Sequence, residues 1–560
     1  MRGGVRSLRG AVWTLAGALP LAFLAVFFAW PVAALIVRGF VTDGALDLSG
    51  FGETFAEPRT WRIIRLTLVQ AVLGTALAVV LGIPGAYVLY RRTFRGRGLV
   101  RAFVTIPFVL PTVVVGVAFR SLLVEGGPLG FLGLDGTFEA IVAALVFFNY
   151  TVVVRTVGGL WERLDPRAEQ AARALGAPPW RAFLSVTLPA LTPAIVSAAS
   201  VVFLFCSTAF GVVLVLGGIQ FGTIETEIWI QTTQFLNLRG AAVLSVVQLV
   251  VVGLALAVFS RARAGRERAL HLHGERHEAR RLRLWSRGRP GADALPALVT
   301  AAVVLGLLAL PLGNLLLRSF RTRAGWGLDN YVNLGTTGGA NTLSVTVWEA
   351  AANSLRIAVD ATVLAVVLGA LVALVVSRRP RNRVARRAVW WLDALFMLPL
   401  GVSAVTVGFG FLITLNAPPL DLRGSLVLIP IAQAVVAIPL VVRTVLPVLR
   451  AIDPRLREAA AVLGAAPGRV LLAVDGPFLL RSLGLAIGFA FAVSLGEFGA
   501  TSFLARPDRP TLPVVIFRLI GRPGPENYGM ALAASVVLAL ITATIMALAE
   551  RLGGTRTGEF

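Results

Sequence analysis

Glu497 is a carboxylate in an otherwise apolar run, Ser494-Leu495-Gly496-Glu497-Phe498-Gly499, and an ionisable group among apolar neighbours is costly enough to count as a functional candidate. Its chemistry suits contact with a passing solute rather than catalysis; the alternative, equally open, is an interfacial carboxylate satisfied by water or by an arginine. No paired carboxylate, Cys-His arrangement or metal-ligand cluster shares the apolar stretches with it, so a membrane enzyme is the weakest reading. Three histidines, His271, His273 and His277, stand close together, but ten arginines lie around them between Arg261 and Pro290 and no closed-site spacing is present. They read as part of a basic linker, and no metal site is expected. The single cysteine, Cys206, cannot form an intramolecular disulfide and reads as a small packing residue.

A second pattern carries mechanical rather than covalent chemistry. Leu164-Asp165-Pro166-Arg167 leads to Gly176 and Pro189, and Ile452-Asp453-Pro454-Arg455 leads to Gly464 and Pro477; each pair of equivalents differs by 288 positions, as 453 − 165 shows. Asp is a good N-cap, Pro a good first helical residue and Gly a good C-terminal stop, so each copy is predicted to be a short helix bounded on both sides. Ala168, Ala171, Ala172 and Leu175 fall at i, i+3, i+4 and i+7, as do Leu456, Ala459, Ala460 and Leu463. A stripe of small residues lets another surface approach the backbone closely. Arg167, Glu169, Arg173, Arg457 and Glu458 flank it and could fix the register. The alternative is an elbow that packs against its own bundle.

The elements that position these residues are membrane helices. The chain is 57% hydrophobic and 14% charged with a mean hydropathy of +0.81, and apolar runs long enough to cross a bilayer recur throughout. An all-α integral membrane protein is expected, with about twelve spans at roughly 11–37, 62–90, 101–120, 138–160, 187–216, 240–260, 293–317, 353–377, 388–414, 424–449, 478–503 and 528–549. The 288 offset also pairs Pro111 with Pro399, Arg155 with Arg443, Phe210-Gly211 with Phe498-Gly499, and Thr223 with Thr511. Six spans per half give parallel repeats. The expected organisation is a first half at 1–260, a basic cytoplasmic linker at 261–292 and a second half at 293–560.

The net charge of +23 follows from loops that obey the positive-inside rule, which places both termini in the cytoplasm. The bias is incomplete: Arg318, Arg321, Arg323, Arg506, Arg509, Arg518 and Arg522 fall on the external side. Nucleic acid is not an expected partner, because the cations are dispersed and no stacking aromatics accompany them. Arg155 and Arg443 read as interfacial anchors. Thr223-Ile224-Glu225 and Thr511-Leu512-Pro513 open matched external segments.

The duplicated loops resemble the EAA loops of binding-protein-dependent ABC transporter permeases, whose pattern is Glu-Ala-Ala, three residues, Gly and a later Leu-Pro. Glu458-Ala459-Ala460 with Gly464 matches directly, whereas the first copy reads Gln170-Ala171-Ala172 with Gly176 and is preceded by Glu169; Gly476-Pro477 stands where Leu188-Pro189 keeps the pattern. The resemblance covers roughly 60–260 and 350–550. The fusion of two halves, Leu110-Pro111, Leu398-Pro399 and the segment around Glu497 are similar to iron(III) and thiamine importer permeases, and that last segment also resembles molybdate and sulfate permeases.

The resemblance implies a type I importer fold. It implies ATPase coupling through Asp165, Glu169, Gln170, Ala171, Ala172 and Gly176 in one copy and Asp453, Glu458, Ala459, Ala460 and Gly464 in the other. It further implies two ABC ATPase subunits on the cytoplasmic side, an external substrate-binding protein, and a bacterial inner-membrane location. Glu497, Phe498, Gly499, Pro111 and Pro399 are expected along the translocation pathway. Lysine is absent from the sequence, so the chain lacks the Walker A means of holding nucleotide, and ATP with magnesium is expected on a partner chain. No cofactor is expected on this one. The competing reading is a major-facilitator-like secondary transporter, which shares twelve spans and a central linker but gives the duplicated helices no role.

Overall fold

The computed structural model describes residues 15–552 apart from 43, 219, 265–279, 287–288, 379–381, 417 and 419; the three histidines lie outside the described residues. Ten of the twelve expected spans are single apolar helices: Leu15–Phe40, Pro58–Arg91, Phe138–Arg163, Pro179–Ser207, Leu238–Ala262, Ala294–Ser319, Val347–Val376, Leu428–Ala451, Gly468–Gly496 and Pro525–Ala549.

The remaining two, the third span of each half, are broken where hydropathy alone predicts a continuous span. Arg97–Val109 and Thr112–Leu123 meet at 107° across Leu110-Pro111, because a residue before proline is pushed out of the helical region and Leu110 is extended at ψ 141. In the second half Arg383–Met397 gives way to a 3₁₀ turn at Leu398–Gly401 and then to Ala404–Thr414. Ser403 Oγ caps that last helix, accepting from Thr406 N at 3.0 Å. Both third spans are thus broken, the first at Leu110-Pro111 and the second after the 3₁₀ turn that holds Pro399.

The fifth and eleventh spans start earlier than hydropathy suggests, since their first turns are polar enough to read as loop. Both pass through one π turn at equivalent positions, Phe183–Thr187 and Leu471–Asp475. A π turn carries one extra residue and rotates the rest of the helix about its axis, which marks it as a feature of use rather than a defect.

The compact units do not coincide with the chain halves. One comprises Glu53–Glu227 and Val247–Arg321; the other comprises Met1–Gly52, Ile228–Val246 and Thr322–Phe560. The opening span of each half therefore packs with the body of the opposite half, which an alignment of the repeat on itself cannot reveal. In the first unit Asn314 Nδ2 donates to Ser121 Oγ at 2.9 Å and Arg318 Nη1 to the Ser121 carbonyl at 2.6 Å. In the second, Phe27 meets Phe411 at 6.4 Å between centroids, and Gly410 lies so close to Pro31 that a Cβ would come within 3.0 Å of it.

Within each unit the second span packs on the fourth and fifth of its repeat: Pro58–Ala86 on Phe138–Arg163 and Leu188–Ser207, and Val347–Val376 on Leu428–Ala451 and Gly476–Gly496. Small residues set the approach, as membrane helix packing requires. A Cβ on Gly82 would stand 2.6 Å from Val153, and one on Gly369 would stand 2.7 Å from Val441. The core of the second unit is built from Leu368, Val372, Val435, Ile438, Val441 and Val445.

The end of the basic linker is fastened to the first unit. Arg280 and Arg281 pair in parallel with Arg92 and Thr93. Buried Asp293 accepts from Tyr87 Oη at 2.7 Å, Arg92 Nε at 3.0 Å and the Arg283 backbone N–H at 3.0 Å. Burial pushes the Asp293 carboxyl up, but these three donors and the Arg92 charge together hold it below its ordinary 3.8.

Candidate functional site

Both predicted short helices are present, at Arg167–Ala174 and Pro454–Val462. Asp165 Oδ1 accepts from Arg167 N and Asp453 Oδ1 from Arg455 N, each at 2.9 Å. Their C-termini are equally matched. Gly176 and Gly464 adopt φ +90 and +80, a left-handed conformation that costs a side chain about 1–2 kcal/mol. The N–H groups at these ends close a Schellman motif: Gly176 N to Arg173 O at 3.0 Å and Ala177 N to Ala172 O at 3.1 Å, then Gly464 N to Ala461 O at 3.1 Å and Ala465 N to Ala460 O at 3.0 Å.

Neither helix buries a residue in its own unit. Gln170, Ala171, Glu458 and Ala459 are exposed, Ala172 and Ala460 are half-buried, and the equivalent leucines Leu175 and Leu463 are 89% and 87% exposed. An elbow packed on its own bundle would turn its alanine and leucine stripe inward, whereas Leu175 and Leu463 face outward here.

What ties each helix to its unit is a side-chain contact at the same repeat position. Thr187 Oγ1 donates to Glu169 Oε2 at 2.9 Å. In the second copy the equivalent pair is Arg457 and Asp475, with Arg457 Nη2 at 2.7 Å and Nε at 2.8 Å from Oδ1. Arg378 Nη2 reaches the other oxygen of Asp475 at 2.8 Å, and Arg457 Nη2 also donates to the Leu449 carbonyl at 3.3 Å. Thr187 and Asp475 are the last residues of the two π turns, so each fifth-span helix reaches its short helix from its π turn. Arg457 and Glu169, expected to face a partner, instead face inward. Sequence reasoning missed Thr187 and Asp475; the signal available was that 187 and 475 also differ by 288.

Similar contacts, one residue out of the repeat register on the second spans, are made at the opposite ends of those spans. The Ile224 N–H donates to Thr67 Oγ1 at 3.0 Å, and the equivalent Leu512 N–H donates to Ser354 Oγ at 2.7 Å. Each hydroxyl fixes the first turn of one segment opened by Thr223 or Thr511. Arg155 and Arg443 are exposed on the fourth spans.

Glu497 is buried, and its carboxylate accepts from Ala500 N at 2.7 Å, from Thr501 N at 3.0 Å and from Thr501 Oγ1. Both oxygens thus cap the short helix Thr501–Leu504. Phe498 is buried against Phe517 at 5.4 Å, and a Cβ on Gly499 would stand 3.0 Å from that of Ala404. These three residues order the turn after the eleventh span. Leu110-Pro111 is a backbone break, whereas Leu398-Pro399 lies within the 3₁₀ turn Leu398–Gly401 and the chain becomes extended only at Val402.

Residues 74–266 match the family described as binding-protein-dependent transport system inner membrane component. The thiamine transport system permease protein ThiP of Escherichia coli (strain K12) is 28% identical over 512 residues, covering 88% of this chain and 89% of that protein. ThiP of Brucella abortus (strain 2308) is 26% identical over 566 residues, covering 98% and 96%. The sulfate transport system permease protein CysT of Escherichia coli (strain K12) is 30% identical over 244 residues, covering 42% of this chain and 87% of that protein. With its duplicated short helices and two repeats, the chain belongs to the binding-protein-dependent ABC transporter permeases, in the fused two-half form.

Proposed function

We propose that this chain is the membrane subunit of an ATP-driven thiamine importer, coupled at Arg167–Ala174 and Pro454–Val462 to two separate ATPase subunits. The observation that carries the coupling is that both capped helices bury nothing of their own unit while showing Leu175 and Leu463 outward. Thiamine is favoured over sulfate because the two ThiP proteins align over nearly the whole chain, whereas CysT aligns over 42% of it. Iron(III) has only the sequence resemblance behind it.

In this reading both termini face the cytoplasm and a loaded binding protein docks on the external face. Closure of the motors displaces both docking helices. Through Glu169–Thr187 and Arg457–Asp475 the displacement enters the fifth span of each repeat, and the pathway alternates between outward and inward access. ATP and magnesium act on the partner chains.

The test is reconstitution of the chain with its co-purifying ATPase and binding protein in proteoliposomes, with labelled thiamine supplied on the side where the binding protein docks. Uptake that requires both ATP and the binding protein is expected. Uptake driven by an ion gradient without any ATPase would restore the secondary-transporter reading, and ATP-dependent uptake of sulfate but not thiamine would overturn the substrate.

A further inference from the structure

Four arginines converge where the positive-inside rule disfavours them. Arg356, Arg423, Arg506 and Arg509 line one cavity of about 80 Å³ within the second unit, and all four are exposed. The cavity lies at the Leu428 end of the Leu428–Ala451 span, whereas the docking helix Pro454–Val462 adjoins its other end. It therefore opens on the membrane face remote from the motors.

Two carboxylates accompany the four cations. Asp360 lies one turn beyond Arg356 on the same helix and also lines the cavity; Asp508 is 3.1 Å from Arg506 Nε and 3.8 Å from Arg509 Nε. Cations remain in excess. The rest of the wall is mixed, with Ile357, Ile429 and Leu504 contributing apolar surface. Arg356 lies well inside the helix that Thr346 caps, about 14 Å along the axis at 1.5 Å per residue. An exposed arginine on an apolar span extends toward a phosphate or toward water.

We propose that this cavity binds an anionic phospholipid of the leaflet on that face, with the phosphodiester among the arginines and the first acyl carbons against Ile357, Ile429 and Leu504. Guanidinium forks match phosphate oxygens, and an apolar wall beside a cationic one fits an amphiphile better than a free anion. The assignment is independent of the solute carried.

The test uses the purified full-length chain in nanodiscs or detergent, with phosphatidylglycerol, phosphatidylcholine and inorganic phosphate as separate probes. Native mass spectrometry is expected to show phosphatidylglycerol retained over phosphatidylcholine. The Arg506→Gln/Arg509→Gln variant should weaken that retention about fivefold for each arginine, the equivalent of ~1 kcal/mol per cation, with its unfolding temperature in phosphatidylcholine unchanged. Equal retention of the two lipids, or retention unaffected by the variant, would overturn the proposal. Inorganic phosphate that raises the unfolding temperature as much as phosphatidylglycerol would overturn it in favour of a free anion. Loss of binding-protein docking with lipid retention intact would give the arginines to a protein partner instead.

Discussion

Removing Asp475 should cost the second docking helix more than removing Thr187 costs the first. Asp475 has a side chain only 1% exposed and receives Arg457 and Arg378, themselves 20% and 29% exposed. Deleting one partner of a buried ion pair costs about 3–5 kcal/mol when the orphaned charge stays buried. Both arginines here can turn partly toward water, so about 2–3 kcal/mol is the reasoned cost of Asp475→Ala. Thr187→Val removes one hydrogen bond to a half-buried carboxylate, which puts its cost at about 1 kcal/mol.

The assay is hydrogen exchange over 454–462 and 167–174, run beside ATPase rate and uptake in proteoliposomes. Asp475→Ala should raise exchange in the second helix and leave ATP hydrolysis running with little uptake; Thr187→Val should do the same to the first helix more weakly. A sharper arm transplants one pair onto the other. Arg457→Glu with Asp475→Thr rebuilds at the second site the Glu169–Thr187 pair of the first, so the double variant should couple better than either single change, a positive interaction energy in a double-mutant cycle. Wild-type exchange and coupling in Asp475→Ala, or a double variant that is no better than its parts, would refute the transmission route.

Three further outcomes rest on the same geometry. Gly464→Ala places a Cβ at φ +80, which should cost about 1–2 kcal/mol and fray the helix end, read as reduced ATPase stimulation by the loaded binding protein. Leu175→Asp and Leu463→Asp change exposed residues, so unfolding temperature should hold while co-purification of the ATPase falls. Asp293 is held below its ordinary pKa by its donors, so the linker contact is fully present above the ordinary aspartate range and is lost only as pH falls through the lower folded value. Protease cleavage near 280–286 should therefore stay constant from neutral pH to about 4 and rise below it, whereas Asp293→Asn should raise it across that constant range and leave it little changed at the acid end.

Much of this was legible locally. The short helices could be read because Asp, Pro and Gly each act on the backbone within a turn; Asp453 and Pro454 stand at the predicted N-cap and first position, whereas in the first copy the helix starts one residue later, with Pro166 at the N-cap. The repeat was legible because its offset is unchanged from Pro111 to Thr223. The exchange of opening spans was not, since Ala294–Ser319 and Leu15–Phe40 are apolar enough to pack with either half and only tertiary contacts such as Asn314–Ser121 choose. The broken third spans escaped for a different reason: hydropathy averages over a window, and a 107° bend leaves the average untouched. Glu497 shows the limit of reasoning from cost alone. A carboxylate among apolar residues had to be satisfied, and three donors from Ala500 and Thr501 satisfy it without a solute.

The central claim is that the two short helices are where separate motors grip the chain. Its most direct test exploits the single native cysteine, Cys206, which is fully buried. Leu175→Cys and Leu463→Cys would each add one exposed thiol for crosslinking to the co-purified ATPase. A crosslinked product is expected at both positions, its yield changed by ATP. A complex that stays assembled and hydrolyses ATP yet gives no crosslink at either position would contradict it.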